Sequence, residues 1–131
     1  MTLNHLYDIA ARDNITVYSY DLGGYDCLSL LYNNNCYIAI DPFKLKSEAE
    51  ELVKLAHELG HCETGAFYNQ YSALDVRAKH ERRADAWAIK KLIPKDELEK
   101  AYLCCRNRWE LSEHFGVTED FMQKVLDYYQ H

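Results

Sequence analysis

Hydrophobic and polar positions change their spacing twice along this chain, and the changes mark its elements. Leu3, Leu6, Tyr7, Ala10 and Ala11 form one stripe in residues 3–12, the period of an amphipathic helix. Asn14 ends it. Residues 15–20 are β-branched and aromatic with partial alternation, and 27–32 and 36–40 are further apolar runs, so three strands are predicted. Gly23-Gly24 marks a loop between the first two, and Asn33-Asn34-Asn35 separates the last two. Asparagine tolerates the positive φ of a tight hairpin. The sheet is therefore at least partly antiparallel.

After Asp41-Pro42 the helical period returns and stays. Ser47 followed by Glu50 reads as a capping box, opening a helix over 47–63 that Thr64-Gly65-Ala66 closes. An aromatic connection with no clear period (Phe67, Tyr68, Tyr71) leads to a helix over 73–92. Pro94 sets a boundary. Helices at 95–104, 109–115 and 118–129 follow, the last two hinged at Gly116. Strands first and helices later predict an α+β fold in one domain: a small three-stranded sheet (15–40), helices 47–63 and 73–92, and a C-terminal helical segment (95–130).

Bulk properties narrow the field. The chain has 131 residues, enough for one domain with a real core. A net charge of −6 argues against general binding to nucleic acid or acidic membranes. No basic segment followed by an apolar run opens the chain, and no stretch reaches membrane-spanning length, so a cytoplasmic location is expected. The 5 cysteines (27, 36, 62, 104 and 105) are odd in number and contain no C-x-x-C pair, which predicts reduced thiols. Eleven tyrosines suggest amphipathic contact area for a peptide partner, alongside core use.

The chemistry concentrates in the helix over 47–63. His57-Glu58-Leu59-Gly60-His61 reads H-E-x-x-H. Four residues apart on a helix, His57 and His61 stack on one face and aim both imidazoles at one point, with Glu58 beside them as general base. Leu52, Leu55, Ala56, Leu59 and Cys62 take the other side, leaving the histidine face for chemistry. This is the pattern of a zinc metallopeptidase. Gly60 suggests close approach by a neighbouring segment.

Catalytic zinc takes three protein ligands and leaves a fourth position to water. Downstream candidates are Glu63, Asp75, His80, Glu81, Asp85 and His114. Glu63 lies two residues past His61 and points away. Glu81 and Asp85 share a face, so Glu81 suits a ligand while Asp85 accepts the free ring N–H of a ligand histidine. Ala84 and Ala88 beside them permit close helix approach. Two other readings stand beside it: both carboxylates only pair with Arg77, Arg82 or Lys90, or His80 ligates from a direction about 100° away.

These segments resemble the ImmA/IrrE family of small zinc metallopeptidases, associated with mobile elements, prophages and stress-response regulators. Its marks are H-E-L-G-H and a helix E-x-E-A-[ND]-x-F-A running into L-[LM]-x-P. Here they read His57 to His61 and Glu81-Arg82-Arg83-Ala84-Asp85-Ala86-Trp87-Ala88, continuing to Leu92-Ile93-Pro94. The resemblance implies a zincin-like helical core and gluzincin-like ligation: Zn2+ on His57, His61 and Glu81, Glu58 as general base, Asp85 as the orienting carboxylate. Arg83 replaces the family's usual second glutamate and Trp87 its phenylalanine; neither is a ligand position.

The resemblance also implies a narrow protein substrate, a helix-turn-helix repressor or regulator of a mobile element, which an acidic enzyme suits. The hairpin and third strand are candidates for an edge on which an extended peptide is bound. Tyr68, Tyr71 and His114 are candidate oxyanion donors. Residues 111–118 look like the turn of a helix-turn-helix, but the helix after it opens with Glu119 and Asp120 and carries one lysine. It lacks the donors that read bases and phosphates, so packing, or a share in the substrate groove, is expected rather than DNA binding. The rival reading is a non-hydrolytic protein that grips a regulator with the same fold.

Overall fold

A computed structural model describes residues 1–67 and 73–130. In chain order the elements are α1 (Leu3–Arg12), β1 (Thr16–Ser19), β2 (Cys27–Tyr32), β3 (Asn35–Ile40), α2 (Glu48–Thr64), α3 (Leu74–Leu92), α4 (Lys95–Ala101), α5 (Arg108–Phe115) and α6 (Glu119–Tyr129). The α+β organisation predicted above is present: a three-stranded sheet packs against helices, with further helices at the C-terminal end. Among the described residues no helix is long and apolar enough to cross a membrane.

The sheet has the order β1-β3-β2, with β1 parallel and β2 antiparallel to β3. Asn33 and Asn34 both adopt positive φ (50° and 64°) between the paired Tyr32 and Asn35. This two-residue turn matches the twist of its strands. The third strand is therefore central, which corrects the expectation that it offers an edge. Among the described residues β1 and β2 are the outer strands, and β2 is the one packed on α2. Alternation buries Cys36, Ile38 and Ile40 of β3, whereas Leu28, Leu30 and Tyr32 of β2 face solvent.

Helix α2 lies against the inner face of the sheet. Ser47 caps it, accepting from the Glu50 N–H at 3.1 Å. Glu50 accepts in turn from the Lys46 N–H at 3.3 Å, one residue earlier than in a reciprocal capping box. Leu52, Leu55, Ala56 and Leu59 are buried, as their helical spacing predicted, and join Leu6, Ile9 and Ile38 in the core. Helix α4 ends at Ala101, three residues short of its predicted end. Helix α6 buries Phe121, Met122 and Val125, and Arg108 of α5 pairs with its Glu119 at 3.0 Å. The segment resembling a helix-turn-helix thus contributes to the core.

The thiols depart from expectation. Cys36 of β3 and Cys62 of α2 form a disulfide, with Cα atoms 5.8 Å apart. Strand alternation turns Cys36 inward, and helix periodicity turns Cys62 toward the sheet. Two independent periods bring the sulfurs together, which spacing along the chain does not reveal. Cys27, Cys104 and Cys105 are free.

Candidate metal centre

Helices α2 and α3 cross where their side chains are smallest. Ala84 and Ala88 are fully buried there. A Cβ added to Gly60 would stand 2.5 Å from the Ala84 carbonyl oxygen and 3.0 Å from its Cα. Only glycine fits. The close crossing brings the histidines of α2 against the carboxylates of α3.

His57 Nε2 lies 2.8 Å from Glu81 Oε2, and His61 Nε2 lies 3.2 Å from Glu81 Oε1. The two Nε2 atoms stand 3.2 Å apart. Around a tetrahedral ion with metal–nitrogen bonds of 2.0–2.1 Å, two nitrogen ligands stand about 3.3 Å apart. The donor set of two imidazoles and one carboxylate is one that Zn2+ accepts, so these side chains could hold such an ion.

The opposite ring nitrogens explain why both Nε2 atoms aim inward. His57 Nδ1 bonds Asp85 Oδ1 at 2.8 Å, and His61 Nδ1 bonds the Ala66 carbonyl. Both partners are pure acceptors, so in the neutral rings Nδ1 carries the proton and Nε2 keeps its lone pair. The Ala66 carbonyl is placed by the end of α2. Gly65 takes φ 67°, in the left-handed region, and folds the chain back so that the Ala66 N–H donates to the His61 carbonyl at 3.1 Å.

Charge reinforces the orientation. Burial of His57 opposes its protonation, but the bond to Asp85 and the surrounding carboxylates outweigh it and raise its pKa. Burial likewise opposes ionisation of Asp85, yet His57 and Lys124 hold its pKa below the ordinary value. Lys124 Nζ stands 3.6 Å from Asp85 Oδ2. This contact from α6 was not anticipated, since the sequence marks Lys124 only as the lone lysine of an acidic helix. Nor does any sequence signal announce the Ala66 carbonyl.

Exposure is graded across the site. The His61 side chain is 7% exposed and that of Glu81 37%. Glu58 lines a cleft of about 210 Å³ with His61, Ala66, Phe67, Glu81, and Leu28 and Ser29 of β2. The cleft therefore joins the general-base candidate, two of the converging side chains and the edge strand.

The other candidates separate. Burial, and after it the neighbouring Asp13, raises the pKa of Glu63 to about 7. Asp75 lies in the first turn of α3. His80 is half-buried on α3 and is not part of the converging group. His114 lies beside Cys104 and Cys105 instead. Tyr68 and Tyr71 lie outside the described residues.

Comparison with known families gives a match over residues 10–127 to the peptidase M78 model, described as the IrrE N-terminal-like domain. No curated protein and no solved structure gives a match.

Proposed function

Because the chain belongs to the peptidase M78 family with an IrrE N-terminal-like domain, we propose that it is a zinc-dependent endopeptidase that cleaves a specific DNA-binding regulator. The observation that carries this reading is the convergence of His57, His61 and Glu81 beside Glu58 in one cleft. In this reading His57, His61 and Glu81 hold zinc, Glu58 is the general base, and Asp85 orients His57.

Bound zinc supplies Lewis acidity, which polarises the scissile carbonyl and acidifies water. Glu58 accepts a proton from the attacking water and delivers it to the leaving amine nitrogen. Asp85 and the Ala66 carbonyl keep the Nδ1 protons in place, so neither histidine has to reorient during turnover. The outer edge of β2, which shares a cleft with Glu58, suits an extended peptide whose backbone pairs with the strand. Regulator binding draws support from the family and from the net charge of −6, which favours a basic partner.

The test is Glu58→Gln, assayed with zinc and the regulator encoded beside the gene. Hydrolysis, followed by mass spectrometry, is expected to fall about 10²–10⁴-fold, with zinc and regulator still bound. Undiminished function in that variant would favour the non-hydrolytic binding protein instead.

A further inference from the structure

A second group of metal-binding atoms lies in the turn between α4 and α5 and shares no residue with the site above. Helix α4 ends at Ala101, whose carbonyl accepts from the Cys104 N–H (3.1 Å), the Cys105 N–H (2.9 Å) and Cys104 Sγ (3.4 Å). One acceptor thus pins both cysteines. Their sulfurs stand 3.6 Å apart. Helix α5 follows directly, capped by Asn107, which accepts from the Glu110 N–H at 2.9 Å. Its last turn carries His114 back to the thiols, and one ligand atom from each of the three residues lies within 4.8 Å of the other two.

The spacing suits coordination. Two thiolates bound tetrahedrally at about 2.3 Å stand about 3.8 Å apart, close to the observed separation. Two sulfurs and an imidazole form a soft donor set that discriminates against Mg2+ and Ca2+ and favours zinc and other thiophilic cations. Cys104 is exposed and Cys105 half-buried, so an ion can enter from solvent. The hydrolytic reading gives these three residues no task.

We propose that Cys104, Cys105 and His114 form a second metal site, for a thiophilic divalent cation such as Zn2+, with three protein ligands and a fourth position open to water. Binding releases the two S–H protons to solvent, and the histidine ligates as the neutral imidazole. An ion held there ties the end of α4 to the end of α5. The proposal is independent of the function proposed above.

Co2+ is the probe, because a sulfur-to-cobalt charge-transfer band arises only where thiolate ligates. His57, His61 and Glu81 contain no sulfur, and the remaining free thiol, Cys27, is buried, which together with nearby carboxylates raises its pKa. The full-length protein, with its free thiols confirmed reduced, is titrated with Co2+ and followed in the near ultraviolet. The expected result is a saturating band that is abolished by Cys104→Ser/Cys105→Ser and is retained in His57→Ala, where it saturates at one equivalent. His114→Ala should weaken the cobalt affinity at least tenfold. No band, a band that survives the double cysteine change, or an affinity indifferent to His114→Ala would each overturn the proposal.

Discussion

Replacing Gly60 by alanine tests how the site is built, because the added methyl meets backbone rather than a side chain. The new Cβ would lie 2.5 Å from the Ala84 carbonyl oxygen and 3.1 Å from its carbonyl carbon. Ordinary contact requires α2 and α3 to part by roughly 0.5–1 Å. Overpacking of this kind costs about 1–3 kcal/mol, offset by about 1 kcal/mol from the better helix propensity of alanine. A net loss of up to about 2 kcal/mol lowers Tm by up to roughly 8 °C in a chain of this size. The same displacement moves Glu81 away from His57 and His61, now 2.8 and 3.2 Å distant. If Glu81 holds zinc as proposed, a carboxylate misplaced by that much should weaken zinc binding at least tenfold, about 1.4 kcal/mol. Competition with a chromophoric chelator measures the affinity, and thermal denaturation of the metal-free protein measures the packing cost separately. Ala84→Gly should not rescue the variant, since the obstructing atoms are main chain. Zinc affinity within twofold of wild type together with Tm within about one degree would refute the close-crossing argument.

Three further outcomes follow from other contacts. Asp85→Ala leaves His57 Nδ1 without its acceptor and should reduce zinc affinity about 10–100-fold, read by the same competition. Glu63 has a pKa raised to about 7 through burial and nearby Asp13. The folded state therefore binds more protons than the unfolded state, and stability falls as pH rises from the ordinary carboxyl value through about 7. Glu63→Gln should flatten this slope in Tm measured against pH, and an unchanged slope would remove Glu63 as its source. Cys36→Ser/Cys62→Ser opens a link across a separation of 26 residues and should cost about 3 kcal/mol in denaturant unfolding; unaltered stability would show that the link does not constrain the unfolded chain.

The elements most legible in the sequence are those fixed by local chemistry. Asn33 and Asn34 announce their turn because positive φ is inexpensive for asparagine, and the periodicity of α2 places both the buried leucines and the histidine pair. A spacing of four sets Glu81 and Asp85 on one face of α3, and both meet His57. Information that depends on two elements meeting was harder to read. The central position of β3 arises from parallel pairing with β1, a choice that alternation within either strand does not express. The disulfide needs a strand and a helix to present sulfur at the same depth. Lys124 reaches Asp85 only because α6 docks through Phe121, Met122 and Val125, and the Ala66 carbonyl reaches His61 only because Gly65 reverses the chain.

Anomalous diffraction at the zinc edge, from crystals of Cys104→Ser/Cys105→Ser grown with zinc, addresses the central claim most directly. The account predicts one peak about 2.0–2.2 Å from His57 Nε2, His61 Nε2 and a Glu81 carboxylate oxygen, with Asp85 hydrogen-bonded to His57 rather than to the ion. An ion held elsewhere, or none between the two histidines, would contradict it.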